Sequence, residues 1–256
     1  MMHRFASANC RSLPAAFLCP KALWPAALLL VGLAAGPVAQ AQQVLVQANV
    51  ANDTLKASLG PNRRYFGHMY AGYGLVAGRS EEGAAVRHGH ASSELRAGGR
   101  LKVRINQALA VNLDLGYAYL RYELRQNAQK VVPAPVQHHR ESLGLHQLYS
   151  EASLRLNVGR RGNSVGSYLD LLGSGGWVAA TSHVTQDAPS AGVRFMETTE
   201  RGLPYLRRWT SATGARLGMD RYALVGRYRL TRVFRSEYGA WPELPRWVVG
   251  LEIGLF

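Results

Sequence analysis

Apolar and polar residues alternate with a period of two along most of the chain after residue 65. The clearest stretch is 93–105, where Leu95, Leu101 and Val103 share one face and Arg96 and Arg100 lie on the other. Successive side chains of a β-strand point to opposite faces, so this period predicts strands. We predict eight strands, at 66–78, 93–105, 109–119, 146–158, 166–180, 207–219, 222–231 and 246–256.

The charged face of the second segment indicates which way the strands face. A water-soluble sandwich would not bury five charges on one inner face, so the apolar rows are expected to face hydrocarbon. Lipid leaves the backbone of an open sheet edge without hydrogen-bond partners, so such a sheet must close on itself. The predicted fold class is all-β, an eight-stranded antiparallel up-and-down transmembrane β-barrel.

Connection lengths and prolines fit this barrel. The links after the second, fourth and sixth segments are short and the others are long, which is the asymmetry of short periplasmic turns and longer external loops. Pro cannot donate to a strand ladder and is excluded from central strands. Seven prolines follow the leader, and all lie outside the eight segments: Pro61, Pro133, Pro135, Pro189, Pro204, Pro242 and Pro245.

The first 41 residues read as a cleaved signal peptide. Positive residues precede an apolar run at 22–35 that is shorter than the roughly 20 residues a spanning helix needs, and Ala39-Gln-Ala41 is a small-x-small cleavage site. Cys10 and Cys19 both lie in this leader, so the mature chain is expected to have no disulfide and no lipid anchor. The predicted organisation is 1–41 leader, 42–65 periplasmic lead-in and 66–256 barrel.

The net charge and the placement of the basic residues indicate which partners the protein can bind. The net charge of +14 falls to +11 once the three leader cations are removed, and most of the basic residues are Arg. The cations are interleaved with lipid-type residues and form no exposed basic face, so we expect no nucleic-acid binding. Expected partners are outer-membrane lipid and the barrel-insertion machinery.

The polar rows are predicted to fill the barrel interior with charge. An eight-stranded barrel is only wide enough for side chains, and buried charges must be paired. We therefore expect a closed lumen held by ion pairs, with a narrow anion-preferring channel as the alternative. The predicted lumen network is Glu94, Arg96, Arg100, Lys102, Arg104, Asp114, Glu151, Arg155, Asp170, Arg216, Arg227, Arg229 and Glu252.

The last strand ends on an aromatic residue. Trp247, Val249, Leu251 and Leu255 form its apolar row, and Phe256 closes the chain. A final strand that ends in Phe is typical of bacterial outer-membrane barrels, so Phe256 is predicted to serve as the terminal signal for insertion. Aromatic residues near other segment ends fit interfacial girdles as a set.

Several stretches resemble the PorT-like outer-membrane β-barrel family. They are Tyr149-Ser-Glu-Ala-Ser-Leu-Arg-Leu156, Tyr168-Leu-Asp-Leu171, Gly226-Arg-Tyr-Arg-Leu-Thr-Arg-Val233 and Val249-Gly-Leu-Glu-Ile-Gly-Leu-Phe256. The resemblance covers most of 66–256 and mainly reports the architecture. It implies a location in the bacterial outer membrane and permits an association with a secretion complex or other envelope proteins.

The sequence contains few candidate catalytic or metal-ligating residues. Ser182, His183 and Asp187 lie close together in sequence and could form an activated nucleophile in a lipid-modifying enzyme. The pairs His88/His90 and His138/His139 lack Cys or carboxylates at ligand spacing. We predict no enzyme activity, no cofactor and no metal site. The expected role is structural, adhesive or assembly-associated, carried by external loops 122–145 and 181–206, with the channel and the enzyme as alternatives.

Overall fold

The computed structural model describes residues 58–159, 162–187 and 195–256. The predicted leader 1–41 and most of the lead-in lie outside these residues. None of the helices in the described ranges is long and apolar enough to cross a membrane. The strands are β1 Tyr65–Ala77, β2 Ser93–Arg104, β3 Leu109–Glu123, β4 Arg140–Val158, β5 Ser167–Asp187, β6 Met196–Arg201, β7 Trp209–Met219, β8 Tyr222–Arg229 and β9 Trp247–Leu255.

Eight of these strands close into a ring. Each pairs antiparallel with its chain neighbour, β5 pairs with β7, and β9 pairs with β1 to seal the sheet. β6 pairs only with the last part of β5 and stays outside the ring. The predicted all-β, eight-stranded antiparallel barrel is confirmed. Its turn end carries the short connections, including 105–108 and 220–221, and its loop end carries β6 and the segments 78–92, 124–139 and 230–246.

The outer surface of the ring is apolar. Leucine side chains stand exposed along every face of the wall, including Leu115 on β3, Leu154 on β4 and Leu251 on β9. Their neighbours in sequence point inward and are polar, as Asp114 and Arg155 show. Exposed leucines around a closed ring are what a hydrocarbon solvent requires.

Three strands run further toward the loop end than the alternation predicts. β3 ends at Glu123, β4 already begins at Arg140, and β5 continues to Asp187. In this outer extension the pattern inverts, because Leu143 and Leu145 of β4 are buried inside the ring whereas Leu148 and Leu154 are exposed outside it. A prediction that follows one continuous apolar outer row therefore ends each strand where the polarity of the two faces is exchanged. The predicted loops 122–145 and 181–206 are corrected accordingly, since both include strand.

A bulge adds to the difference in β5. Gln147 of β4 faces Val178 of β5 while His146 faces Ala180, so Ala179 is an extra residue in the ladder. One extra residue exchanges the two faces of a strand beyond it. The inward row accordingly changes from Val178 to Thr181.

β6 is the strand that the sequence analysis missed. All six of its side chains, Met196-Glu-Thr-Thr-Glu-Arg201, are exposed, and it forms a hairpin with the outer part of β5. With neither face buried, the segment has no period of two to reveal it.

The interior is layered along the barrel axis. An apolar cluster that includes Phe66, Tyr168 and Leu172 lies toward the turn end. A second, larger cluster lies at the loop end, and we call it the cap. It consists of Val76, Ala84, Val86, Leu120, Tyr122, Leu124, Val132, Leu143, Leu145, Val178, Leu203, Leu206, Val233, Phe234, Leu244 and Val248. Between the two clusters the interior is charged.

Candidate functional site

The thirteen predicted lumen residues come together inside the ring. Twelve of them are buried, and Arg104, close to the turn end, is half-buried. They reach the interior because each lies on the inward row of its strand, opposite an exposed apolar row. Burial of this many charges is tolerable only with extensive pairing, since an isolated buried charge costs several kcal/mol.

Two arginine–aspartate pairs join strands that are neighbours in sequence. Arg100 of β2 faces Asp114 of β3 and donates through Nε at 2.9 Å and Nη2 at 2.8 Å to the same carboxylate oxygen. Arg155 of β4 faces Asp170 of β5 and donates to its two oxygens at 2.7 and 2.8 Å. Forked pairing of this kind fixes direction as well as charge. Each pair therefore fastens one short-turn hairpin.

Arg216 of β7 is the centre of the network and is fully buried. Its guanidinium lies 2.5 Å from Glu151, 2.9 Å from Asp170, 2.8 Å from Glu252 and 3.6 Å from Asp114. These four carboxylates come from β4, β5, β9 and β3. One side chain thus connects five strands across the interior.

Glu151 and Glu252 share the remaining guanidiniums. Arg227 of β8 lies 3.3 Å from Glu151 and donates to Glu252, which also accepts from Arg100 at 3.1 Å. Arg96 of β2 reaches Glu151 at 3.4 Å. The middle of the lumen holds five carboxylates and five guanidiniums among the predicted residues, so it carries no net charge.

The surplus cations of the predicted set find partners outside this balanced group. Lys102 donates to the carbonyl oxygen of Pro61, and Arg104 donates to that of Asn62 at 2.7 Å, both in the segment just before β1. Arg229, toward the loop end, donates to Glu243 of the β8–β9 connection at 2.9 Å. Sequence reasoning missed Glu243, since it lies outside every strand.

Tyrosines fill the space that the ion pairs leave. The hydroxyls of Tyr70 and Tyr149 are 2.5 Å apart, and Arg96 stacks 3.8 Å from the centre of the Tyr149 ring. Arg155 stacks 3.5 Å from the ring of Tyr168. Gly218 makes room for that ring, because a Cβ atom there would lie 2.1 Å from the Tyr168 Cζ atom. Stacked cations and rings leave the middle of the barrel occluded.

The loop end is an ordered assembly. Tyr205 packs beside the cap against the Trp241 ring, and its burial raises the pKa of its hydroxyl above the ordinary value. Buried Lys130 of the β3–β4 connection pairs with Glu141 of β4, and the backbone N–H of Glu243 donates to Glu81 at 2.7 Å. Three long connections are thereby tied to the wall and to each other.

The side chains of the three residues considered for an activated nucleophile do not contact one another. His183 faces inward opposite Leu143, and its Nε2 lies 2.8 Å from Glu141. Ser182 precedes it in the strand and faces the other way, toward Gly144. Asp187 contacts His138 at 2.8 Å instead of His183. The structure does not bring Ser182, His183 and Asp187 together.

The histidine pairs considered for metal binding are also dispersed. His90 contacts Tyr73 on the outer side of β1, His88 contacts the Val76 carbonyl, and His139 lies beside Phe195. Within the described ranges, no group of three or more His, Cys, Asp and Glu is placed to hold a metal ion.

The terminal aromatic packs at the turn end. The Phe256 ring lies 5.2 Å from Phe66 and 5.2 Å from His68, in edge-on geometry, while Leu255 is exposed on the apolar outer row. The chain therefore ends with its last ring folded against β1.

No family model and no curated protein matches the chain. Solved structures that are similar to it include two outer-membrane β-barrels. The crystal structure of Ail, the attachment invasion locus protein of Yersinia pestis, is 7% identical, with 74% of this chain and 97% of that chain covered and a TM-score of 0.32. The N-terminal β-barrel domain of Pseudomonas aeruginosa OprF is 14% identical, with 73% and 95% covered and a TM-score of 0.25. The closed strand pairing of the chain itself defines its fold.

Proposed function

We propose that the chain is a non-conducting bacterial outer-membrane barrel that displays its loop end as a binding surface for another protein. The occluded lumen is the observation that carries this proposal. Arg216 and the four carboxylates around it cross the full interior, and the cap covers the same interior at the loop end.

The outer surface supports the membrane location. Leucines on adjoining strands form a continuous exposed band, as the cross-strand pairs Leu101–Leu113 and Leu224–Leu251 illustrate. In water an apolar surface of this kind would drive aggregation. Lipid on the outer face and the barrel-insertion machinery are the partners that this surface requires.

The order of the loop end supports a binding role. Connections that only linked strands would not need buried apolar residues of their own, yet nine of the sixteen cap residues lie in connections. The loop end also exposes large apolar side chains, including Phe195 just before β6 and Met196 at its start. A rigid base loses little conformational entropy on binding. The resemblance to PorT-like barrels favours an envelope or secretion-complex protein as the occupant of this surface.

Conductance tests the closed lumen. The purified barrel, reconstituted in planar bilayers, is expected to insert without giving stepwise current at neutral pH. Insertion is checked independently by protection of the barrel from protease in liposomes made from the same lipid. Steady anion-preferring steps from protein that is fully protected would overturn the non-conducting part of the proposal and favour the channel.

Cysteine labelling tests the display of the loop end. Because both native cysteines lie in the predicted leader, single substitutions can report position. Thr198→Cys in β6 is expected to react with a membrane-impermeant maleimide in intact cells. The matched turn-end variant Gln107→Cys is expected to react only after the cells are opened. The reverse pattern would contradict the proposed orientation.

Cross-linking tests the partner. A photoreactive residue at position 198 is expected to capture a defined envelope or extracellular protein in living cells, and the same residue at position 107 is expected not to. Equal capture at both positions, or none at 198, would count against the binding role.

A further inference from the structure

A small, partly open cavity lies between the ion pairs in the middle of the lumen and the cap. Its volume is about 50 Å³, and it is bounded by residues of both layers, with Tyr149 on one side and Leu120 and Val248 on the other. A buried water needs roughly 10–15 Å³ of such space, so the cavity can hold a few waters or one small ion. No part of the proposed binding surface is involved.

The lining of the cavity is strongly cationic. Four arginines line it, Arg96, Arg227, Arg229 and Arg246. The one carboxylate in the lining is Glu94, which lies 3.9 Å from both Arg96 Nε and Arg227 Nη1. Those separations are too long for hydrogen bonds, so Glu94 offsets charge without using the donors.

Two of these arginines have unused donors. The side chains of Arg96 and Arg229 are more than nine-tenths buried. Their Nε atoms have no hydrogen-bond partner within the described residues. A buried N–H without an acceptor costs about 1–3 kcal/mol. Both therefore favour an acceptor in the cavity that they border.

Arg246 supplies a charge that the described protein does not neutralise. It is half-buried just before β9, and its side chain makes no ion pair or hydrogen bond with any residue that the structure describes. Two of the buried carboxylates, Glu123 and Glu141, pair with side chains of the loop end. The other six lie among the arginines of the lumen and the cavity: Glu94, Asp114, Glu151, Asp170, Glu243 and Glu252. The guanidiniums among them are those of Arg96, Arg100, Arg155, Arg216, Arg227, Arg229 and Arg246, which number seven. Arg232, nearer the surface, also shares Glu243 and can only increase this excess.

We propose that this cavity binds one small monovalent inorganic anion, of the size of a halide, between Arg96, Arg229 and Arg246. One negative charge offsets the guanidinium of Arg246, and its lone pairs accept from the two unused Nε donors. The neutral side chains of Thr210 and Gln147 complete the polar lining. The anion is a structural ligand that joins the wall to the cap and is not a transported ion.

Thermal unfolding in detergent tests the site. At constant ionic strength, replacing sodium gluconate with sodium bromide is expected to raise the unfolding midpoint by roughly 2–4 °C, because an ion that binds only the folded barrel stabilises it. Arg246→Gln is expected to fold, since this guanidinium has no ion pair to lose, and to abolish the bromide-dependent rise. Arg208→Gln removes an exposed guanidinium away from the cavity and is expected to keep the rise.

Anomalous scattering from bromide-grown crystals locates the ion. A bromide peak beside Arg96 and Arg229 that disappears in Arg246→Gln is the expected result. Water alone in the cavity, with equal midpoints in both salts, would overturn the proposal. So would a bromide effect of the same size in Arg246→Gln and the unmodified protein, because the effect would then come from ions elsewhere on the surface.

Discussion

At the scale of residues, the sequence specified which charges enter the barrel but not which of them meet. Alternation alone assigns Arg216 and Glu151 to inward rows, because each is flanked by residues of the apolar outer rows. Their contact at 2.5 Å depends on the stagger between β4 and β7, which are not neighbours in the sheet. Glu243 could not be found by alternation at all, since its connection has no period. The pairings therefore needed the three-dimensional register.

Loss of the central guanidinium is expected to be costly. Arg216→Gln leaves Glu151, Asp170 and Glu252 short of a shared cation, and breaking a buried pair from one side typically costs about 3–5 kcal/mol. Urea unfolding in detergent micelles measures the change in free energy of unfolding. Arg235→Gln is the control, because this surface guanidinium lies 3.8 Å from the exposed carboxylate of Glu237. Similar losses in the two variants would contradict a central role for Arg216.

At the scale of elements, alternation predicts a strand only where its two faces meet different solvents. The eight ring strands satisfy this condition over the apolar band, and all eight were predicted. Toward the loop end the interior becomes apolar and the outer face polar. Alternation therefore predicts a loop for the outer extension of β4, although Leu143 and Leu145 pack in the cap. The Ala179 bulge then shifts the phase of β5, and β6 has water on both faces. Each omission follows from a local change of environment.

The β5–β6 hairpin is expected to be dispensable for the barrel. The β6 side chains are all exposed and β6 pairs only with β5, so the ring loses only the short ladder between residues 184–186 of β5 and 140–142 of β4. Replacing residues 184–199 with a short turn should change the free energy of unfolding by no more than about 1 kcal/mol, because little apolar surface is lost. Heat-modifiability on gels and urea unfolding measure this. Failure of the shortened chain to fold would show that the hairpin has a structural role.

At the scale of the whole molecule, the apolar band is expected to make the cost of a charge depend on depth. Leu115 is 64% exposed in the middle of β3, and Val158 is equally exposed at the turn-end limit of β4. Leu115→Arg should cost about 2–4 kcal/mol in a lipid bilayer, whereas Val158→Arg should cost about 0–1 kcal/mol. Unfolding titrations in liposomes compare the two variants. Equal costs would indicate that the band does not lie in hydrocarbon as proposed.

The arrangement of arginines also bears on the order in which the barrel is built. Hairpins β2–β3 and β4–β5 each include an arginine–aspartate pair, whereas β7–β8 carries Arg216, Arg227 and Arg229 and has no carboxylate on either strand. An isolated β7–β8 hairpin entering lipid would expose three unpaired cations to hydrocarbon, which is energetically costly. We therefore expect this hairpin to enter the membrane last and together with β9. Its insertion would close the barrel in one cooperative step.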